Sequence, residues 1–355
     1  MSEWPGHLGC RRVRNVTGCS RPTADNEITK QRNAEKSAYR SACVLMTRRF
    51  LAYLLVCLCG ALAATSALAA RVYDEATIRI DAKPRRYYHL HDSDAEGKIT
   101  PIVLVSGSGC RDFASRVPSF FEHYPAPIDL YFLEKAGIEK GDDGEHCSET
   151  YNREDVLERR VGDTLSFIDV EPRLHSLAPR SLAIVGFSEG GTVAPLAAAS
   201  SAKIGWLAVA GSGGLPQSEE FLVFAGRGVA PYATVFSRSQ FLQAYAAIKT
   251  DPDSLDKEFF GHPYRYWSSH LFYDPLPTYA KLNIPVVVAI GEKDDSVPIE
   301  SGHKLHAFFS SHPDNKFTFV EYPGAGHALQ APERNYLPQF IAGLAGWFKG
   351  KRNPF

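Results

Sequence analysis

The alternation in Thr77-Ile78-Arg79-Ile80 and the run Tyr87-Tyr88-His89-Leu90 predict two antiparallel strands, with a polar turn at Asp92–Gly97 before the next element. The pattern then changes. Ile102–Val105, Leu130–Leu133, Leu182–Val185, Trp206–Val209, Val286–Ile290 and Phe317–Val320 are short, continuous apolar runs. Runs of this kind are what strands buried on both faces of a parallel sheet look like. Between them, Leu157, Val161, Leu165 and Ile168 recur at helical spacing, with Glu154, Glu158, Arg159 and Asp163 assigned to the opposite face. Strand alternating with helix predicts an α/β fold with right-handed crossovers, a mostly parallel twisted sheet flanked by helices. In such sheets ligands bind at the carboxyl ends of the strands, so the residues that follow the six runs are where chemistry is sought.

One stretch breaks the alternation. Residues 215–277 are rich in aromatics, among them Phe221, Phe224, Tyr232, Phe241, Tyr266 and Trp267, and Phe241, Tyr245 and Ile248 share a helical face. A connection of about sixty residues between two core strands is expected to be a lid. The plainer reading, in which the aromatics only pack the insertion onto the body, is compatible with it.

A second departure lies upstream. Phe50–Ala70 holds no charged residue and sits directly behind Met46-Thr47-Arg48-Arg49. Residues 46–70 read as a secretory signal: a basic start, an apolar stretch, and Ala67-Leu68-Ala69 as a cleavage site. The other reading is a retained membrane anchor, since 21 uncharged residues cover roughly 30 Å as a helix. Either way residues 71–355 are exported, to the periplasm or outside the cell, and the membrane is a partner only if residues 50–70 stay attached. Residues 1–45 are polar and without apolar periodicity, expected to be disordered or not translated.

Composition sharpens this picture in two places. The 355 residues carry 39 Lys and Arg against 40 Asp and Glu, which gives no reason to expect nucleic acid as a partner. That balance hides an asymmetry: ten basic and four acidic residues precede Phe50, so the part beyond Ala70 is mildly acidic, with a net charge of −7. Of the seven cysteines only Cys110 and Cys147 lie beyond the expected leader, and two cysteines in an oxidising compartment are expected to pair.

The chemistry follows the strand runs. After Leu182–Val185 comes Gly186-Phe187-Ser188-Glu189-Gly190-Gly191, and then a small-residue helix interrupted by Pro195. G-x-S-x-G between strand and helix holds a serine in a tight strained turn, with glycines where neighbouring backbone must pass. A neutral serine needs a base, and the base needs a group to fix its tautomer. Gly291-Glu292-Lys293-Asp294-Asp295-Ser296-Val297-Pro298 and Gly324-Ala325-Gly326-His327 follow the last two runs and supply both. Asp295 competes with Asp294 as the acid. His303 and His306 fall on a helix over 301–310 and are expected to face solvent, and the residues between them do not form a zinc motif.

With the order Ser, Asp, His, each at its own strand end, the chain resembles the α/β-hydrolase superfamily from Thr77 to about Phe348. The resemblance implies an α/β-hydrolase fold with Ser188 as nucleophile, Asp294 as acid and His327 as base. It places the oxyanion loop at Ser106-Gly107-Ser108-Gly109-Cys110, where Ser106 replaces the histidine often found there, and makes the backbone N–H groups of Ser108 and Glu189 the two donors. No metal or organic cofactor is implied. The expected activity is an exported carboxylesterase or thioesterase acting on a small-molecule acyl substrate. The alternatives are a prolyl-oligopeptidase-like peptidase using the same triad and a non-catalytic binding protein of the same fold.

Overall fold

Six of the eight strands of the central sheet coincide with the apolar runs. In the computed structural model, which describes residues 70–93, 97, 99–312 and 316–355, they are β3 (Ile102–Val105), β4 (Asp129–Leu133), β5 (Leu182–Phe187), β6 (Ile204–Ala210), β7 (Val286–Gly291) and β8 (Phe317–Tyr322). The expected leader up to residue 69 and everything before it lie outside the described residues, as does part of the polar turn after Asp92. The sheet order is β1-β2-β4-β3-β5-β6-β7-β8, where β1 (Arg71–Ile80) and β2 (Lys83–Asp92) form the expected antiparallel hairpin and β2 joins β4 antiparallel. The other pairings are parallel.

Both faces of the inner sheet are covered, which is why β3, β5, β6 and β7 read as continuous apolar runs, whereas the edge strand β8, expected to be buried on both faces, is half-buried over Phe317–Val320 because no strand lies beyond it. Val103, Ile184, Val209 and Val288 pack on one side with residues of α2 (Leu157–Val170), α3 (Gly190–Ser200) and α7 (Ile299–Ser310). Leu104, Val185, Ala208 and Val287 pack on the other, against α8 (Leu337–Trp347) and the segment around Phe121. Side chains of one strand alternate between the two cores, as the period of two requires.

The structure departs from the expected pattern on α2. Asp163, expected on the solvent face, is buried because the Arg85 guanidinium of β2 pairs with it. Arg160 and Thr164 are buried beside it, while Val161 and Leu165 are only half-buried. A buried charge is tolerated where a partner meets it, and apolar periodicity alone does not reveal the partner.

The insertion between β6 and β7 contains α4 (Gln217–Arg227), α5 (Arg238–Thr250) and α6 (Tyr264–His270). Ser237 starts α5 with a capping box: its hydroxyl accepts from Gln240 N, and the Gln240 side chain accepts from Ser237 N. Phe241, Tyr245 and Ile248 do share the buried face, in an aromatic core with Phe221, Phe224 and Trp267 that belongs to the insertion itself. The last helix, α6, is tied to the body. Ser269 Oγ accepts from Leu157 N at 3.1 Å, and Arg265 Nε donates to Arg153 O at 3.0 Å.

Cys110 and Cys147 form a disulfide across a separation of 37 residues, joining the loop after β3 to the segment before α1 (Glu149–Glu154). Replacing both cysteines by alanine is expected to cost about 2–4 kcal/mol of stability, since the unfolded chain loses its cross-link. Denaturant melts of the oxidised wild type and the double variant check this, with thiol titration of the unreduced protein expected to find no free sulfhydryl among residues 71–355. Among the described residues no helix is long and apolar enough to cross a membrane.

Candidate active site

Three strand ends converge at one edge of the sheet. β5 ends in a turn that holds Ser188 at φ +53°, a left-handed conformation rare for a residue with a side chain. The turn is fixed from both sides: Ser188 N donates to Ala210 O at the end of β6, and Gly191 N donates to Ser188 O. Its glycines are dictated by space. A Cβ on Gly186 would lie 2.3 Å from Gly190 O, and one on Gly190 would lie 2.2 Å from Val105 O. The strain thus buys exposure of the serine hydroxyl at the start of α3.

His327, in the loop after β8, places Nε2 2.9 Å from Ser188 Oγ. Its Nδ1 stands 2.9 Å from Asp294 Oδ2 and 3.0 Å from Oδ1. The Asp294 side chain is fully buried, and its Oδ1 accepts from Ser296 N at 2.8 Å and Val297 N at 2.9 Å. Those two amides aim the carboxylate at the imidazole. Asp295 turns to solvent and adds to the His327 environment only a weaker attraction of its charge. Glu292 N donates to Tyr322 O and Lys293 N to Ala325 O, which binds the acid loop to the histidine loop. Burial opposes the charged imidazole, yet hydrogen bonding and attraction from Asp294 outweigh it and raise the His327 pKa above its ordinary value.

This arrangement is capable of removing the hydroxyl proton as the oxygen bonds to an electrophile, and of holding the resulting imidazolium against a carboxylate. Ser108 and Glu189 both face the same cavity. Among the described residues neither of their backbone N–H groups donates to a protein acceptor. His303 and His306 are on the exposed side of α7, and His303 Nε2 contacts Glu321.

The cavity in front of Ser188 has a volume of about 680 Å³, the range of small-molecule sites. Phe113, Phe120 and Phe187 line one wall, and Phe221, Tyr232 and Trp267 of the insertion line the other. Glu220 also reaches it; burial, with the Asp294 charge adding to it, pushes this carboxyl up to about 8, so it is largely neutral at pH 7.

Glu189, expected to act through its backbone N–H, has a second role in its side chain that the motif does not show. That carboxylate is buried and ion-paired to Arg160 of α2; it accepts from Tyr266 Oη at 2.5 Å, and His270 Nε2 stands 3.4 Å away. Burial alone would raise its pKa, but Arg160, His270 and Lys135 hold it well below the usual carboxylate range. Burial likewise works against a charged His270, and the Glu189 carboxylate reverses this and raises its pKa. An acid set between glycines and apolar strands was the available signal, because such a group needs cations brought from elsewhere. Among the described residues no set of three or more His, Cys, Asp or Glu side chains is placed to hold a metal ion.

A family model described as "Alpha/beta hydrolase family" matches residues 102–335. No curated protein matches the chain in sequence. Among solved structures, Est1E from Butyrivibrio proteoclasticus is similar at a TM-score of 0.52 and 16% identity, covering 78% of this chain and 98% of that one. A puromycin-hydrolyzing peptidase of Mycobacterium tuberculosis is similar at a TM-score of 0.52 and 15% identity; the match spans 81% of this chain but 41% of that one. The acylaminoacyl peptidase of Pyrococcus horikoshii has a TM-score of 0.51 at 12% identity, over 81% of this chain and 43% of its own. Identities this low speak for the fold alone.

Proposed function

Because the chain belongs to the alpha/beta hydrolase family, we propose that it is an exported serine hydrolase that cleaves ester-type bonds by acyl transfer. The observation that carries this reading is the unbroken relay from the Ser188 hydroxyl through His327 to the buried Asp294 carboxylate, with both contacts at 2.9 Å. Ser188 Oγ bonds to the substrate carbonyl carbon as its proton passes to His327 Nε2. Charge collects on the carbonyl oxygen, which the N–H groups of Ser108 and Glu189 receive. The imidazolium then gives its proton to the leaving oxygen or sulfur as the bond from that atom to the carbon breaks, so the alcohol or thiol departs and an acyl group stays on Ser188. Water, giving a proton to His327, attacks that acyl carbon; the bond to Ser188 Oγ breaks, His327 returns the proton to that oxygen, and the acid is released.

The cavity walls favour an uncharged acyl group. Nine Phe, Tyr and Trp rings border it, against three cations, Arg111, Arg116 and Lys135, and Glu220 is held largely neutral, so an apolar acyl chain meets matching surface over most of the cavity. The Cys110–Cys147 disulfide is consistent with an oxidising compartment outside the cytosol.

A substrate panel tests the reaction class. Short- and medium-chain p-nitrophenyl esters and acyl thioesters are expected to be hydrolysed, and chromogenic aminoacyl-proline amides not. Turnover of the amides alone would replace this reading with a peptidase using the same three residues.

A further inference from the structure

We propose that Arg160 and Lys135, with the carboxylate of Glu189, are positioning residues that set the two oxyanion-binding amides at their working separation. This inference rests on the serine-hydrolase reading above and concerns how its oxyanion site is held.

Lys135, directly after β4 and its neighbouring residue Glu134, extends beneath the loop that follows β3. Its Nζ donates to Gly107 O at 3.1 Å and to Gly109 O at 2.5 Å. The carbonyl of Gly107 and the N–H of Ser108 belong to one planar trans peptide and point in opposite directions. Holding that oxygen therefore fixes the direction of the Ser108 N–H as well. A Cβ on Gly107 would lie 3.0 Å from Ser188 Cβ and 3.5 Å from Ser188 Oγ, so this peptide borders the reacting hydroxyl.

Arg160 joins the two halves of the site. One guanidinium nitrogen, Nη2, donates to Ser106 O at 2.7 Å, and the other, Nη1, pairs with the Glu189 carboxylate. The first contact fixes the peptide before Gly107, and the second fixes the residue that carries the other oxyanion donor. A planar fork makes both contacts at once, which an ammonium group at the end of a flexible stem does not reproduce. Asp155 lies behind both cations, 3.8 Å from Arg160 Nε and 3.9 Å from Lys135 Nζ, and Tyr266 and His270 of α6 close the far side of Glu189. The side chains of Arg160, Lys135, Asp155 and Glu189 are all at least nine-tenths buried, so solvent screens these pairs little. The network also explains how the loop dispenses with the histidine often found at position 106: its carbonyls are anchored from outside the loop.

Arg160→Lys keeps the charge and loses the fork; Lys135→Met removes the clamp on Gly107. Both are expected to lower kcat by roughly 10- to 100-fold while KM stays within about twofold, because a displaced donor weakens the transition state and not the bound ester. Affinity for a trifluoromethyl ketone, whose adduct with Ser188 carries the same oxyanion, is expected to fall by a matching factor. The acid limb of the kcat/KM profile is expected to stay in place, since His327 and Asp294 are untouched. Folded variants that keep both kcat and ketone affinity within about twofold, or that lose kcat without losing ketone affinity, would overturn the proposal. Should neither cation variant fold, Tyr266→Phe decides: it deletes one hydroxyl from Glu189, and a parallel loss of about threefold or more in kcat and ketone affinity is expected, no loss in either sinking the idea. Failure of the underlying reading looks different, as a wild type that neither hydrolyses esters nor reacts at Ser188 with a fluorophosphonate.

Discussion

Ser188→Ala is expected to reduce ester hydrolysis by about a million-fold and to abolish covalent labelling by a fluorophosphonate probe. The size of the effect follows from the geometry. His327 Nε2 stands 2.9 Å from a single hydroxyl, and without it no covalent acyl intermediate forms, so the residual rate is that of water attack assisted by the oxyanion amides. The substitution removes one oxygen from a turn whose backbone bonds, Ser188 N to Ala210 O and Gly191 N to Ser188 O, do not involve the side chain. Folding is therefore expected to survive, and a thermal melt close to that of the wild type separates lost chemistry from lost structure. Equal labelling of both proteins would remove Ser188 from the reaction, and a wild type that is inert to probe and panel alike would favour a non-catalytic role for the fold.

Asp294→Asn is expected to lower kcat by about ten-thousand-fold, whereas Asp295→Asn is expected to leave it within about threefold. The adjacent carboxylates differ in one respect that decides this. Asp294 is buried, oriented by two amides and in contact with His327 Nδ1, while Asp295 points to water. An amide in place of Asp294 presents the imidazole with a donor as readily as an acceptor, favours the wrong tautomer and no longer stabilises the imidazolium. Asp294 also sets the pH range. Only neutral His327 accepts a proton, so activity is present above its pKa and is lost as pH falls through it. Because that pKa is raised in the folded enzyme, the acid limb of kcat/KM is expected above the ordinary histidine value of about 6.5. Residual activity of Asp294→Asn is expected to show this limb at lower pH, since the attraction that raised it is gone. A limb that stays in place would mean another group titrates.

Much of this architecture is legible in the chain because each signal is local. A strand covered on both faces has to be apolar at almost every position, and the runs that became the inner strands say so without reference to their neighbours; Phe317–Val320 reads the same way but lies at the half-buried edge. The turn at Ser188 is equally local: residues two before and two after the serine have no room for a side chain, and glycine is the only residue without one. The spacing Gly291, Asp294, Val297 separates Asp294 from Asp295 for a similar reason, since the loop folds its own amides onto the first carboxylate.

What stayed hidden involves partners that are far apart in the chain. Asp163 reads as a solvent-facing acid until Arg85, 78 residues earlier, is brought against it. Glu189 reads as one member of a G-x-S-x-G motif; its binding to Arg160, Tyr266 and His270 depends on α2 and on an insertion helix arriving at the same point. The insertion's aromatics could be read as forming a lid, but that α6 is bonded to the body at Leu157 and Arg153 comes from the packing. By itself the sequence determined the sheet, the order of its strands' functional residues and the strained turn, because periodicity and glycine sterics act over a few residues. Tertiary structure alone decided which buried charges are compensated and how the oxyanion loop is held, because electrostatic pairing acts through space and leaves no periodic trace along the chain.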